Sequence, residues 1–356
     1  MTGLGASQRP LRAASLVVWH CPIPTLATTV GDLAAQDPNL DAVGVLFNED
    51  PEGVQAEEFR RTFGALFAPG VLRVTSRPDN HGFAGGHNLL LADLFDADMD
   101  GVLVANPDLR LGTAAVRGLA EARVPSRTLR GPVLLLATPG DLLPEGRTDS
   151  LGIRWTRTGR HLDVGHGRPG RRCPAAAWPV AGLSGACLYV PHEVYRTVVG
   201  VCGEFFDADF IAYREDAELG IRCAMLGVSS WVVPSVQVLH ARSQRGTARS
   251  ASAFVNALGV RNRFLIAAKY GRRRPGGIVV PFLRDLVVVT GVLLVERASI
   301  PGLVDAWRLR HRMRQKGRLV RRACIRVDGG GERTRPPDTI APQPGSTSPC
   351  GLIGGS

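Results

Sequence analysis

The sequence predicts an α/β fold with a mostly parallel sheet flanked by helices. Short apolar segments typical of strands alternate with amphipathic segments of helical period from Ser15 onward. This alternation favours right-handed βαβ units, because two parallel strands need a crossover connection between them. Beyond Gly246 the pattern is helical only, so a C-terminal helical extension is expected after the sheet domain.

The individual elements follow from the periodicity of the apolar residues. Strands are predicted at residues 15–19, 42–47, 71–75, 101–105, 132–137, 186–190 and 230–233. Helices are predicted at residues 25–36, 56–67, 89–95, 113–122, 192–199 and 216–226, and then through most of 246–323. Glycine, proline and arginine become dense between residues 138 and 179, which indicates long loops over the sheet.

Composition divides the chain into four parts. Residues 1–14 are a leader, 15–245 the sheet domain, 246–325 a helical and basic region, and 326–356 a tail predicted to be disordered. The N-terminus shows no small-residue cleavage site after an apolar core, so no signal peptide is expected. Seven cysteines without a CxxC pair indicate neither a disulfide framework nor a zinc site, and they favour the cytoplasm.

The formal net charge of +11 is concentrated near the end of the chain. The segment WRLRHRMRQKGRLVRR, residues 307–322, has no acidic residue and interleaves basic with apolar positions. It is typical of a solvated basic helix or of a helix that contacts an anionic membrane surface. No base-reading module accompanies it, so nucleic acid is not an expected partner.

The longest apolar stretch, residues 278–295, is interrupted by Pro281 and by Arg284-Asp285. Each of these charges would cost a membrane-spanning helix about 2.5 to 3.5 kcal/mol. A helix lying on a membrane or against the core is therefore favoured. Together with the basic segment 307–322, it leads us to expect a peripheral protein at the inner face of the cell membrane.

Polar clusters follow three of the predicted strands, and each alone is also a common loop start. The clusters are His20-Cys21, Asn48-Glu49-Asp50 and Asn106-Pro107-Asp108. Ligands of open parallel sheets bind beyond the carboxyl ends of the strands, so their recurrence predicts a ligand site at this edge.

A glycine-rich segment, NHGFAGGHN at residues 80–88, comes before the helix predicted from Leu89. Its glycines would let the backbone approach a ligand closely, and a helix N-terminus favours anions. A tight turn is the alternative interpretation. The segment is neither a P-loop nor a GxGxxG motif, so P-loop kinases and nicotinamide enzymes are disfavoured.

Glu215, Asp216 and Glu218 cluster at the start of a predicted amphipathic helix. They would complement the helix dipole by about 0.3 to 1 kcal/mol each. The aromatic-rich segment before them also predicts an apolar setting for one carboxylate, which would raise its pKa and suit it to general-base catalysis. His240, at the end of VVPSVQVLH, is either structural or part of a metal site.

Taken in order, these motifs resemble family 2 glycosyltransferases of the rhamnosyltransferase-like branch. The matching motifs are FxGGxN in residues 83–88, a strand that ends in NPD, SGA at 184–186, FDxxFxxYxEDxxLxxR at 206–222, and a downstream histidine. The resemblance covers residues 15–270 and includes two stretches that recur in this branch, residues 149–167 and 261–270.

The resemblance implies a GT-A fold that transfers a sugar from a nucleotide donor with inversion, using Mg²⁺ or Mn²⁺. Asp108 takes the position of the metal-binding aspartate, and His240 is a second candidate ligand. Asp216, beside Glu215, takes the position of the catalytic base. The residues assigned to nucleotide-sugar binding are His20, Asn48, Asp50, Asn80, Gly82, Gly85, Gly86, Asn88, Asn106, Ser184 and Gly185.

The expected activity is transfer of a sugar such as rhamnose from a dTDP- or UDP-linked donor. The expected acceptor is a hydroxyl group of a lipid-linked molecule or of a cell-wall polysaccharide. A nucleotidyltransferase of related fold is an alternative, although its early glycine-rich basic loop is absent from residues 15–36. A non-catalytic, membrane-associated protein that binds sugar nucleotides is another, which Asp108 and Asp216 argue against.

Overall fold

The computed structural model describes residues 9–170, 173–242, 249–271, 279–328 and 347–348. The strands in these ranges are β1 (Arg12–Val18), β2 (Ala42–Phe47), β3 (Leu72–Ser76), β4 (Gly101–Ala105), β5 (Leu109–Leu111), β6 (Thr128–Ala137), β7 (Pro144–Ser150), β8 (Ile153–Trp155), β9 (His161–Asp163), β10 (Cys173–Pro174), β11 (Trp178–Val180), β12 (Cys187–Pro191), β13 (Ser229–His240) and β14 (Thr347–Ser348). The α-helices there are α1 (Ala27–Ala34), α2 (Val54–Phe63), α3 (Gly82–Asp96), α4 (Ala115–Ala120), α5 (His192–Cys202), α6 (Glu215–Met225), α7 (Arg249–Tyr270), α8 (Val279–Leu294) and α9 (Ile300–Asp328).

One large sheet organises the fold. Its order is β11-β13-β6-β12-β4-β1-β2-β3, with β5 paired to β13 and β7 paired to β6. Strands β4, β1, β2 and β3 are parallel neighbours, as are β6 and β13, while β12 runs antiparallel between β4 and β6. The predicted α/β architecture with a mostly parallel sheet is confirmed.

The central strands are apolar along their whole length because helices cover both faces of the sheet. Strand β4, GVLVA, and strand β2, AVGVLF, are buried at every residue. One core contains apolar residues of α1, α2 and α4, and the other contains those of α3, α5 and α6. The open edge at the carboxyl ends of the parallel strands is therefore left for polar side chains.

Helix α3 begins at Gly82, so the glycine loop predicted ahead of Leu89 is wrong. Gly85, Gly86 and Asn88 lie inside the helix. A Cβ atom on Gly86 would lie 2.9 Å from the methyl groups of Val17, so the glycine lets α3 approach β1 closely. This close packing outweighs the low helix propensity of glycine, which the sequence pattern alone could not reveal.

The segment between residues 138 and 179, predicted as long loops, contains short strands. Strand β7 pairs with β6, β8 and β9 form a hairpin, and β10 pairs with β14. The sequence of β7, PEGRTDS, has no apolar alternation, and for that reason the periodicity did not indicate a strand. Its last three residues are nevertheless buried at the edge of the main sheet.

Strand β13 is longer than the predicted segment 230–233 and ends at His240. The register of its pairing with β6 shifts between Val233 and Gln237, around Pro234. Proline lacks a backbone N–H and is tolerated at such an irregularity. The strand then continues and carries His240 to the polar edge of the sheet.

The C-terminal helical extension packs on the sheet domain. Helices α7 and α9 share an apolar cluster with α6 that includes Ile221, Leu265, Tyr270 and Met313. Among the described helices, none combines the length and the apolar character that crossing a membrane requires. Helix α9 ends at Asp328, and the rest of the predicted tail, apart from Thr347–Ser348, lies outside the described residues, as do residues 1–8 of the predicted leader.

Candidate active site

The three polar clusters predicted from the sequence follow adjacent strands. Strand β1 lies between β4 and β2 and is parallel to both, so the segments that begin at His20, Asn48 and Asn106 leave the sheet at the same edge. The expectation that these clusters share one edge is confirmed.

Asp108 and His240 face each other at this edge. Nε2 of His240 lies 3.3 Å from Oδ1 of Asp108, and both side chains are buried. Strand β5 brings them together, because it follows Asp108 directly and pairs Leu109 with His240. The hydroxyl oxygen of Thr29 braces the turn: it accepts a hydrogen bond from the Leu109 N–H at 3.0 Å and lies 2.9 Å from the Pro107 carbonyl oxygen.

Asp149 holds the other side of the His240 ring. Its Oδ2 lies 2.7 Å from Nδ1 of His240, and the carboxylate is fully buried. Burial alone would lower the pKa of His240, but hydrogen bonds and charges from Asp108 and Asp149 raise it to about 9. The imidazole is therefore protonated at neutral pH, and a cation bound at Nε2 would displace that proton.

The chemistry of Asp108 and His240 fits a divalent cation. A carboxylate is a ligand that Mg²⁺ and Mn²⁺ prefer, and metal-binding histidines usually bond a carboxylate through their second nitrogen, as His240 does with Asp149. Within the described ranges, no group of three or more His, Cys, Asp or Glu side chains is arranged to hold a metal ion. Phosphate oxygens and water would therefore have to supply the remaining ligands.

Arg242 connects this pair to the acidic helix α6 through two aspartates that the sequence analysis did not single out. Its Nε donates a hydrogen bond to Asp149, and its Nη2 lies 2.8 Å from Oδ2 of Asp163. The negative charge of Asp163 in turn raises the pKa of Asp216. Asp149 and Asp163 both lie in residues 149–167, a stretch that carried part of the family resemblance. Its presence in that branch is the signal that could have identified them.

Asp216 lies in the first turn of α6, and backbone N–H groups bind both of its carboxylate oxygens. Oδ2 accepts a hydrogen bond from Gly185 at 3.2 Å, and Oδ1 accepts one from Ala217 at 2.7 Å. Burial, followed by the charge of Asp163, outweighs these bonds and raises the pKa of Asp216 to about 6. The carboxylate is ionised at neutral pH and still has a proton affinity suited to a general base.

Glu215 has a different environment from its neighbour. It is buried, and its Oε2 has no hydrogen-bond partner among the described residues. Burial and the charge of Asp216 raise the pKa of Glu215 well above its ordinary value, which favours the neutral form of the side chain. Of the two predicted catalytic residues, Asp216 is therefore the one with the ionisation state of a base.

The turn before α6 is held in a rare backbone conformation. Ile211, Tyr213 and Arg214 have φ angles of 64°, 66° and 70°, a region in which L-residues lose about 1 to 2 kcal/mol each. Nδ2 of the buried Asn262, on α7, donates to the carbonyl oxygen of Tyr213 at 2.6 Å. A C-terminal helix thus helps to fix the backbone that leads to Asp216.

His20 lies on the surface beyond β1, next to Trp19 and Glu49. Nε2 of His20 lies 2.9 Å from Oε2 of Glu49, and the indole N–H of Trp19 donates to the same oxygen at 2.8 Å. The two rings have their centroids 4.7 Å apart. Accessible rings beside a hydrogen-bonding carboxylate are chemically suited to stacking with a nucleobase.

Two predicted nucleotide-binding side chains bond backbone groups inside the protein. Asp50 accepts hydrogen bonds from the N–H groups of Gln55 and Ala56 at the start of α2, at 3.2 and 3.0 Å. Asn88 bonds both the N–H and the carbonyl oxygen of Phe206, each at 2.8 Å. A ligand that used either side chain would have to break these bonds.

Asn48, Asn80 and Gly82 build the start of α3. The side-chain oxygen of Asn48 accepts from the His81 N–H at 3.1 Å, and that of Asn80 accepts from the Gly82 N–H at 2.7 Å. Gly82 has a φ of 67°, and a Cβ atom there would lie 2.5 Å from the carbonyl oxygen of Ile211. Glycine is therefore required where the strand edge meets the turn before α6.

Asn106, Ser184 and Gly185 lie between the two acidic centres. Nδ2 of Asn106 lies 3.3 Å from Nε2 of His240, and the Asn106 N–H donates to the Ala186 carbonyl oxygen at 2.9 Å. Gly185 donates to Asp216, so the SGA segment connects the end of β4 with the start of α6. The binding role predicted for these residues stays a prediction.

The fold is the GT-A fold of glycosyltransferases, as the sequence predicted. A crystal structure of GalNAc-T7 with UDP, GalNAc and Mn²⁺ matches it with a TM-score of 0.54. The match covers 74% of this chain and 49% of that chain, at 12% sequence identity. At this identity the likeness is one of fold alone.

The sequence itself is similar to a curated enzyme. Over 152 residues it is 34% identical to N-acetylglucosaminyl-diphospho-decaprenol L-rhamnosyltransferase of Mycobacterium tuberculosis, in two strains. The match covers 40% of this chain and 47% of the relative, so it spans about half the length of the curated relatives. No protein-family model matches the chain. The predicted resemblance to rhamnosyltransferase-like glycosyltransferases is confirmed.

Proposed function

We propose that this protein is an inverting glycosyltransferase that moves a sugar from a nucleotide-diphosphate donor to a hydroxyl group of an acceptor. The observation that carries the proposal is the position of Asp216 on a GT-A fold, where the N–H groups of Gly185 and Ala217 hold both carboxylate oxygens and burial raises the pKa to about 6. The similarity to a curated rhamnosyltransferase supports the same class of reaction.

In the proposed reaction Asp216 takes the proton of the acceptor hydroxyl as that oxygen attacks the anomeric carbon of the sugar. A single displacement from the face opposite the leaving group inverts that carbon and needs no covalent intermediate. Gly185 and Ala217 hold the two oxygens of Asp216 and thereby fix its direction. The raised pKa of the buried Glu215 favours its neutral form, which limits the negative charge beside the base.

Asp108 and His240 would hold a Mg²⁺ or Mn²⁺ ion together with the donor diphosphate. When bound, the ion would stabilise the negative charge that develops on the leaving diphosphate. Asp149 keeps the imidazole of His240 directed at Asp108 through the hydrogen bond to Nδ1. Arg242 balances the charge of Asp149 and Asp163, which lie between the two centres.

The finer assignments follow the name of the curated relative and the strand-edge chemistry. We propose a dTDP- or UDP-linked donor sugar and a lipid-linked or polysaccharide acceptor. The name of the curated relative supports rhamnose as the first candidate sugar and a lipid-linked acceptor. The exposed His20 and the half-buried Trp19 contact the base, and Asn106, Ser184 and Gly185 contact the sugar diphosphate. This reaction would take place at the cytoplasmic face of the cell membrane, in cell-wall polysaccharide synthesis.

The test is a donor panel with the purified full-length protein. It is incubated with UDP- and dTDP-linked sugars, Mn²⁺ or Mg²⁺ and an acceptor sugar linked to a prenyl diphosphate, and the release of free nucleoside diphosphate is followed. Acceptor-dependent release of UDP or dTDP that stops on chelation of the metal is expected. Release of sugar 1-phosphate, which is left when the nucleotidyl group of the donor is transferred, would instead indicate a nucleotidyltransferase, and donor binding without turnover would indicate a non-catalytic protein.

The pH profile of this reaction gives a sharper prediction. A base must be deprotonated to act, so kcat/KM is expected to fall about tenfold per pH unit below the pKa of Asp216, which lies at about 6. The charge of Asp163 raises this pKa, so Asp163→Asn should move the midpoint to lower pH. Steady-state kinetics between about pH 5 and 8 measure both. A midpoint that moves up in Asp163→Asn would contradict the assignment.

A further inference from the structure

Helix α8 presents one face of large apolar side chains to solvent. Phe282, Leu286 and Val287 are 61%, 55% and 70% exposed, and Leu293 and Leu294 are 50% and 70% exposed. A scattered exposed leucine is ordinary on a protein surface, whereas a contiguous apolar face of this kind marks an interaction surface.

Asp285, a charged residue in the apolar stretch 278–295, points toward the interior of the protein. Pro281, Asp285 and Val292 are the buried residues of α8, and their spacing places them on one side of a helix. The carboxylate of Asp285 lies 2.6 Å from Nε of Arg263 on α7, in an ion pair that is largely withdrawn from water. The charge of Asp285 therefore attaches α8 to the protein, on the side opposite the exposed apolar residues.

The neighbouring helix α9 supplies the complementary chemistry. Trp307 is 64% exposed, and the guanidinium of Arg310 lies 3.7 Å from the centre of its ring. The side chains of Arg308, Arg314 and Arg318 are also exposed. Tryptophan and arginine beside an apolar helix face are typical of a surface that contacts lipid headgroups.

We propose that α8 lies in the plane of an anionic bilayer, with its outer face inserted at the boundary between headgroups and acyl chains. The basic residues of α9 contact the acidic headgroups, each contributing about 1 kcal/mol near the surface. The described helices are not suited to crossing a membrane, which agrees with insertion parallel to the bilayer. The inference deepens the proposed function, because it identifies the surface that would bring the enzyme to a lipid-linked acceptor.

A second copy of this chain is a weaker candidate for the same face. The chain carries a net charge of +11, and exposed arginines lie on the helix beside the patch. Two copies that met there would bring like charges together, which opposes association, whereas an anionic membrane attracts the same charges.

Vesicle binding tests the inference. The full-length protein is sedimented with vesicles of phosphatidylcholine alone and with vesicles that also contain phosphatidylglycerol. Binding to the anionic vesicles that weakens as salt is raised is expected. The variant Phe282→Ser/Val287→Ser should bind them at least about tenfold more weakly, since two exposed apolar side chains leave the lipid. Val54→Ser, at a 60% exposed site on α2, is the matched control and should bind like the parent.

Three results would overturn the inference. They are no binding to anionic vesicles, equal binding by the double-serine variant, and a dimer in light scattering that this variant converts to a monomer. Donor turnover with a water-soluble acceptor is measured on the same proteins. If the proposed function fails and the inference holds, vesicle binding remains without turnover; in the opposite case, turnover remains without vesicle binding.

Discussion

Asp216→Asn is expected to lower turnover by about 10²- to 10⁴-fold, the range that a positioned general base contributes. Asparagine has nearly the same size and keeps an oxygen for the Ala217 N–H, but it does not take up a proton at neutral pH. Its amide group also meets the N–H of Gly185, where the carboxylate accepted a hydrogen bond. That mismatch costs about 1 kcal/mol of stability, so the variant should remain folded.

Glu215→Gln is the informative comparison for this variant. Glutamine is nearly the same size as Glu215 and resembles the neutral form that the raised pKa favours, so the loss of turnover should be far smaller than in Asp216→Asn. Single-turnover rates at saturating donor, with circular dichroism to verify the fold, measure both. If Glu215→Gln caused the larger loss, the roles of the two carboxyl groups would have to be exchanged.

The proposed base, Asp216, shows which features of the candidate site could be predicted from the sequence. The FDxxFxxYxED motif located the acidic pair, and the aromatic residues predicted an environment that raises a pKa. The resemblance placed the base at Asp216, but the environment that supports this assignment depends on hydrogen bonds from Gly185 and on the charge of Asp163, which the motif does not contain. Both come from segments distant in sequence that only the folded sheet brings together.

The errors in the sequence prediction have the same origin. The N-terminal strands were recognised because burial on both faces makes β2 and β4 continuously apolar. Strand β7 has no such pattern, so Asp149, which holds His240 across 91 positions of sequence, was not singled out. The glycines of α3 suggested a loop because the nearby Val17, which requires a small residue, is known only from the packing.

Lys269→Met is expected to lower the free energy of unfolding by about 3 to 5 kcal/mol, the cost of breaking a buried ion pair from one side. The ammonium group of Lys269 lies 2.6 Å from Oδ2 of Asp207 and 2.7 Å from Oε1 of Glu218, and all three side chains are buried. Methionine fills similar space without charge, so both carboxylates lose a counter-ion. Arg222 still lies 2.9 Å from Glu218, which favours the lower end of the range.

The pH dependence of the stability loss in Lys269→Met tests whether the loss is electrostatic. Lys269 and Lys316 hold the pKa of Asp207 below its ordinary value despite burial. Their stabilisation is therefore present above the pKa that Asp207 has in the unfolded chain, and it is lost as the pH falls through the lower pKa of the folded protein. The difference between parent and variant should therefore narrow as the pH is lowered below about 4. Urea unfolding measures it, with Arg73→Met, which breaks an exposed ion pair with Asp93, as a control expected within about 1 kcal/mol of the parent.

Lys269→Met should also change the geometry of the candidate active site, because its partner Glu218 lies one turn after Glu215 on α6. Lys269 of α7 connects that turn to Asp207, and Lys316 of α9 pairs with Asp207 from the other side. Loosening this network lets the first turn of α6 move, so kcat should fall even where Lys269→Met is fully folded. If the folded variant kept the parent's kcat, the C-terminal helices would stabilise the fold without positioning the base.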